Sequence, residues 1–266
     1  MNVTMKDLLE AGCHFGHRCE KWNPKMKKFI YGEKAGIHII DLEQTAHSLN
    51  KALGFLKQVA SEGEPILFVS TKSQTSVLVP EKAAECKMPY VSTRWLGGFL
   101  TNFPTMKTRI KHYRDLELAQ ASGELEGKYT KKEIVLIKRE LAKLDKYFSG
   151  VKNLNQFPGA VFVVDPIRDH LAVKEACALK IPVVALVDTN ADPDLIDYPI
   201  PANDDAIKSL ALMVGLVSQV IAENFKEKSV ASKESKPAPK PVEAAKAQKP
   251  VVNKAVEKKE EKVSTK

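Results

Sequence analysis

Between positions 42 and 60 the apolar residues Leu42, Ala46, Leu49, Leu53, Leu56 and Ala60 recur at alternating spacings of four and three. That spacing lays one apolar stripe along a long helix. Asp41, with Gln44 three residues on, has the form of its start. The pattern then changes period. Pro65 opens the short apolar run ILFVS, bounded by Gly63 and Thr71, which predicts a strand. A helical pattern over 73–86 leads to PYVS at 89–92. Further on, GAVFVVD (159–165) precedes a helix over 169–179, followed by IPVVALVD (181–188) and YPIP (198–201). Asn203 is placed to cap a final helix, with Asp204 and Asp205 in its first turn, where the helix dipole favours acids. Near-continuous apolar strands separated by helices predict an α/β fold with a parallel sheet covered on both faces.

One stretch breaks the alternation. From Thr105 to Phe148 there is no strand pattern. Thr130 and Glu133 form a capping box, and Ile134, Ile137, Leu141, Leu144 and Phe148 follow at heptad spacing. Met106, Ile110, Tyr113 and Leu116 form a less regular seam before it, with Gly123 and Gly127 between the two. The pattern predicts an antiparallel helical hairpin over 103–150, an arm roughly 25 Å long at the rise of an α-helix. Two heptads per helix make a thin core, so such an arm must lean on the body or on a partner. The rest divides into a body, 1–102 together with 151–225, and a tail, 226–266, whose Lys, Ala, Pro and Glu content predicts disorder.

Charge sharpens this division. The chain has 266 residues and a net charge of +8, distributed as +3 over 1–102, +4 over 103–150, −5 over 151–225 and +6 over 226–266. A near-neutral body thus carries a basic arm and a basic tail, and one acidic flank. No run of apolar residues is long enough for a membrane span, since Ile207–Ile221 is interrupted by Lys208, Ser209, Ser218 and Gln219. The N-terminus has no basic segment followed by an apolar one, so export is not expected. Four cysteines at 13, 19, 86 and 177 suit free thiols in a reducing cytoplasm.

Four constellations carry candidate chemistry. Lys21, Trp22, Lys25, Lys27 and Lys28 interleave cations with aromatics, which suits phosphate neutralisation and base stacking; the alternative is a solvated turn with Trp22 and Phe29 in the core. Arg94, Trp95, Gly97 and Gly98 form either a loop whose amides cradle a phosphate or a tight connection with Trp95 as packing anchor. On the arm, Lys107, Arg109, Lys111, Arg114, Lys131, Lys132 and Arg139 offer a basic surface. The acids Asp188, Asp192, Asp194, Asp204 and Asp205 would repel phosphate and suit a basic protein partner. His14 or His17 with Asp188 and Asp204 or Asp205 could also hold a metal, because strand ends converge at one edge of such a sheet. No CxxC pair, GxGxxG or GxxxxGK[ST] is present, so neither a zinc ribbon nor a nucleotide fingerprint is supported.

Several blocks, in register, resemble one known family. LLEAGCHFGH (8–17), WNPKM (22–26), RWLGGFLTNF (94–103), PGAVFVVDPIRDHLAVKEACALKIP (158–182), VDTNADPD (187–194) and IPANDDAI (200–207) resemble the second protein of the bacterial small ribosomal subunit. The resemblance covers roughly residues 3–224. It implies a flavodoxin-like, three-layer α/β/α domain with a protruding coiled-coil hairpin. It implies binding to small-subunit ribosomal RNA and to other small-subunit proteins, including the large mRNA-binding protein, in the cytoplasm. It implies no catalysis, cofactor or small-molecule substrate. Two other classes share the pattern: an α/β enzyme holding a nucleotide or phosphosugar at its strand ends, and a free RNA-binding adaptor.

Overall fold

In the computed structural model the apolar runs become strands whose side chains are buried on both faces. The structure describes residues 4–123, 127 and 129–225, all within one compact unit, Met1–Ala231. The predicted tail, and the Glu124–Glu126 and Lys128 part of the predicted turn, lie outside the described residues.

The element order is α1 (Met5–Glu10), β1 (Phe15–Arg18), β2 (Ile30–Lys34), β3 (Ile37–Ile40), α2 (Leu42–Ser61), β4 (Ile66–Val69), α3 (Leu78–Glu85) and β5 (Tyr90–Val91). Then come α4 (Phe103–Ala121), α5 (Lys131–Phe148), β6 (Ala160–Val163), α6 (His170–Ala178), β7 (Val183–Val187), β8 (Tyr198–Pro201) and α7 (Ile207–Asn224). The main sheet runs β5-β4-β6-β7-β8, every pair parallel. Counted in chain order this is the 2-1-3-4-5 arrangement of a flavodoxin-like sheet, with the direction of winding reversing between β4 and β6.

The pleat sorts the side chains into two cores. Ile66, Phe68, Ala160, Phe162, Val184, Leu186 and Ile200 face α2, α3 and α7. Leu67, Val69, Val161, Val163, Val183, Ala185 and Val187 face α6 and the roots of α4 and α5. Helices therefore cover both faces, the three-layer α/β/α arrangement expected. α7 is long and apolar enough to cross a membrane by composition, but Leu210, Met213, Val214, Val217 and Ile221 are packed into the first core.

Three details depart from the sequence reading. The stripe on α2 is rotated: Thr45, Leu49, Ala52, Leu56, Val59 and Ala60 are buried, whereas Leu42, Ala46 and Leu53 are only half buried. Thr45 belongs inside because its hydroxyl donates to the Pro201 carbonyl (2.6 Å). The helix predicted over 73–86 splits into a 3-10 turn, Ser73–Thr75, and α3. Pro80 lacks the N–H a continuous helix needs and is tolerated only in a first turn. Asn203 does not cap α7, whose N-cap is Ala206. Instead its Oδ1 accepts from the Asp205 and Ala206 amides (2.8 and 3.0 Å), closing a turn that leaves Asp204 and Asp205 before the helix. The small antiparallel sheet β1-β3-β2, interrupted by register shifts, had no periodic signal.

Candidate nucleic-acid interface and the strand-end cluster

The heptad positions of α5 behave as the spacing predicts. Ile134, Ile137, Leu141 and Leu144 are half buried and Phe148 is buried, while Val135 and Leu136 between them are exposed. On α4 only Phe103, Ile110 and Tyr113 are buried. Burial thus concentrates where the two helices meet the second core. The Tyr113 hydroxyl donates to Asp145 Oδ1 (2.6 Å), and burial with this carboxylate raises the phenol's pKa. Gly150, just past α5, lies against the Tyr90 carbonyl with no room for a Cβ.

The charges of this segment are unevenly engaged. Glu117 pairs with Lys152 (3.3 Å), Glu140 faces His112 (3.4 Å), Glu133 caps Thr130, and Asp145 accepts from Tyr113. Lys107, Arg109, Lys111, Arg114, Lys131, Lys132 and Arg139 are all exposed and take part in no ion pair among the described residues. Of these acids only Glu117 is paired with a lysine, Lys152, while ten cations of α4 and α5 are exposed, the seven named together with Lys138, Lys143 and Lys146.

At the N-terminal cluster, Met26 and Phe29 are buried, and Lys21, Trp22, Lys27 and Lys28 are exposed. Trp22 packs beside His38 (5.3 Å between ring centroids), and Lys28 sits over the Phe29 ring (4.9 Å). Lys25 is different. Its ammonium reaches Asp192 and Asp194, each at 2.8 Å. A cation expected to meet RNA and two acids expected to meet a protein therefore satisfy one another across the chain.

The loop after β5 resolves the choice posed by Trp95 and the glycines. Trp95 is buried, and its indole N–H donates to Glu175 Oε1 (3.0 Å), as does the Gly98 amide (2.8 Å). The Leu100 and Thr101 amides and the Thr101 hydroxyl donate to Glu175 Oε2 (2.9, 3.1 and 3.2 Å). The loop does cradle an anion, but the anion is the chain's own carboxylate. Gly98 adopts φ +83° to turn its amide inward, a conformation that favours glycine. A Cβ on Gly97 would meet nothing, and Arg94 is exposed with no ion-pair partner among the described residues.

At the carboxyl ends of the strands the predicted His17 and Asp188 meet, Nδ1 to Oδ2 at 3.0 Å, and His17 Nε2 lies 3.5 Å from Asp205. Lys72, which periodicity gave no reason to single out, occupies the middle. Its Nζ contacts Asp165 (3.1 Å), Asp204 (2.9 Å) and Asp205 (2.9 Å), and donates to the Asp204 carbonyl (2.9 Å). Burial and the neighbouring Asp188 push Asp204 up to about 7. The hydrogen bond to Asp188 raises His17. Burial opposes ionisation of Asp205, but the contact with Lys72 outweighs it and lowers that carboxyl. His17, Asp204 and Asp205 bring ligand atoms within 4.8 Å of one another, one nitrogen and two carboxylate oxygens suited to a divalent cation. Lys72 and such a cation would compete for the same oxygens. His14 stands apart from the cluster, beside Phe15, with its Nδ1 buried and unpartnered.

The single acidic surface read from the sequence is therefore corrected. Asp188 and Asp204 are 1% and 2% exposed and turned inward, because a carboxylate flanked by His17 or Lys72 is held there. Asp192, Asp194 and Asp205 keep an exposed edge. Also missed were Asp169, which accepts from the Thr71 amide and hydroxyl (3.0 and 2.9 Å), and the part played by Glu175. The signal for Lys72 was present: a lysine in the loop that leaves an apolar strand, here three residues past Val69, stands at the ligand edge of a doubly wound sheet.

Comparison with known proteins places the chain. A family model described as Ribosomal protein S2 matches residues 8–224. "Small ribosomal subunit protein uS2" of Acidothermus cellulolyticus is 46% identical over 241 residues, covering 90% of this chain and 88% of the relative. The protein of the same name from Mycobacteroides abscessus is 48% identical, covering 85% and 82%, and that from Rhodococcus jostii 48%, covering 88% and 79%. Each relative is matched over most of its own length, and the family match spans the 94–101 loop, Glu175 and the strand-end cluster: the chain belongs to the ribosomal protein S2 family.

Proposed function

We propose that the chain is a structural, non-enzymatic constituent of the small ribosomal subunit in the cytoplasm. It holds ribosomal RNA through the basic faces of α4 and α5, with Lys21, Trp22, Lys27, Lys28 and Arg94 as a second contact region. Neighbouring small-subunit proteins, the large mRNA-binding protein among them, meet the edge bearing Asp192, Asp194 and Asp205. The observation that carries the RNA reading is the set of ten exposed cations on α4 and α5, none held in an ion pair among the described residues. Unpaired lysine and arginine side chains release phosphate counterions on contact, which gives affinity with a steep salt dependence. The names of the relatives support the placement in the small subunit.

A nucleotide or phosphosugar at the strand ends fits less well. In a doubly wound sheet the ligand enters where the strand order reverses, here between β4 and β6. That position is filled by Asp169 on Thr71 and by Asp165 on Lys72, and further anionic groups there would meet carboxylates.

The test is a charge-reversed chain carrying Lys107→Glu, Arg109→Glu, Lys131→Glu and Lys132→Glu. Its binding to small-subunit RNA should show a log K against log salt slope shallower by about 0.7–0.9 for each phosphate no longer neutralised. It should also enter small subunits poorly in a sucrose gradient. Unchanged slope and incorporation would refute an RNA-facing arm. A wild-type chain that sediments light, apart from subunits, would indicate a free adaptor instead.

A further inference from the structure

Five donors converge on one carboxylate where the α4–α5 segment joins the body. On one side stand the Trp95 indole N–H and the Gly98 amide; on the other, the Leu100 and Thr101 amides and the Thr101 hydroxyl. All five belong to residues 95–101, directly before α4 begins at Phe103. The acceptor, Glu175, comes from α6, an element of the body some seventy-five positions further along the chain. Glu175 is 9% exposed, so bulk water does little to weaken the contacts. Burial alone would raise its pKa, but the donors hold it below the usual glutamate range. Only an anion satisfies this cup. A neutral amide in the same place would turn an NH2 toward two or three donors, and a truncated side chain would leave buried amides unpaired.

We propose that Glu175 is a positioning residue: its carboxylate fills an anion hole built by residues 95–101 and fixes the root from which α4 and α5 leave the body. Trp95, Leu96, Phe99 and Leu100 pack into the second core, and the loop closes on itself through the Phe99 amide on the Leu96 carbonyl (3.0 Å) and the Asn102 amide on the Gly98 carbonyl (2.9 Å); Gly97 is exposed and Gly98 takes φ +83°. Packing sets how deep the loop sits; the carboxylate sets how its backbone is turned, and hence the direction of the helix that follows two residues later. The exposed Arg94 on one side of the cup and the cations of α4 on the other are held in one frame by the same group. For its consequence at the ribosome the inference rests on the RNA-facing reading above; for the geometry it does not.

The experiment uses the full chain with Cys19→Ser and Cys177→Ser, which leaves only the buried Cys13 and Cys86. Spin labels are placed at the exposed positions Leu136→Cys on α5 and Tyr31→Cys on β2, and their separation is measured by pulsed electron resonance. With Glu175 present a single narrow distance is expected. Glu175→Gln and Glu175→Ala should broaden it. Sodium formate should restore the narrow distribution in Glu175→Ala, saturably, where sodium chloride of equal ionic strength does not. Formate should fail with Glu175→Gln, whose side chain still occupies the cup. A wild-type distribution in either variant, or equal restoration by chloride, overturns the proposal. If Glu175→Ala does not fold, Trp95→Phe and Thr101→Val each remove one side-chain donor; both should broaden the distribution, and a wild-type distribution in both overturns it. RNA binding of the same variants separates the two readings. A broadened distance with unaltered RNA affinity and salt slope leaves Glu175 as the positioning residue and removes the RNA role of the arm. An unmoved distance removes the role of Glu175 whatever the RNA does.

Discussion

At the scale of single residues the strand-end cluster gathers His17, Lys72 and four aspartates around one edge of the sheet. Asp165, Asp188 and Asp204 are buried there with one lysine. Removing one partner of a buried ion pair leaves an uncompensated charge, which typically costs about 3–5 kcal/mol. Lys72→Met should lose stability on that scale in urea unfolding at pH 8. Part of the loss should return at lower pH, or on adding Zn²⁺ or Mn²⁺ and reversibly with a chelator, since a proton or a divalent ion can stand in for the ammonium. The intact, chelator-treated protein should also respond to pH. Asp204 is raised to about 7 and His17 is raised above its ordinary value, so the folded chain binds more protons than the unfolded one below these values. Their contribution is present on the acid side and is lost as pH rises through about 7. Asp205, whose pKa is lowered, acts only in the acid range below ordinary carboxylate values. Asp204→Asn should flatten the stability profile between about pH 4 and 7, the interval in which the folded carboxyl holds a proton that the unfolded one has lost; an unchanged slope there would discard the assignment.

At the scale of elements, α4 and α5 are held to the body by Phe103, Ile110, Tyr113 and Phe148 in the second core and by polar contacts at their roots. Tyr113→Phe removes the hydrogen bond to Asp145 and should cost about 0.5–1.5 kcal/mol, seen as a lower thermal midpoint with an unchanged far-ultraviolet spectrum. Gly150→Ala pushes a methyl into the Tyr90 carbonyl. Backbone cannot step aside as a flexible side chain can, so a loss of about 1–3 kcal/mol is expected. The same elements show how far periodicity reaches. The α5 seam, Ile134 to Phe148, is legible because the spacing of apolar residues and the turn of the helix share a period. The α2 stripe is legible in extent but not in orientation, because hydrophobicity alone cannot reveal that Thr45 is drawn inside by the Pro201 carbonyl.

At the scale of the whole molecule, a flavodoxin-like sheet suggests a ligand at the reversal of its winding, and fold alone does not settle the matter. Here that position carries the chain's own carboxylates and Lys72. Thermal-shift measurements with adenine, guanine and flavin nucleotides should give shifts no larger than those of inorganic phosphate at equal ionic strength. A large shift with one nucleotide would restore the enzyme reading.

The layers of this protein were legible along the chain: the parallel strands, the helices between them, the two-helix segment and the family. Each of these rests on local periodicity or on motifs contiguous in the chain, which reveal that an element has an apolar face though not, as α2 shows, its final rotation. Which charges remain free emerges only when the chain is folded. Lys25 meets Asp192 across 167 positions, Lys72 meets Asp204 across 132, and Glu175 meets the 95–101 loop from α6. An ion pair needs a partner within about 4 Å in space, and nothing in the order of residues along the chain states which distant side chain will arrive there.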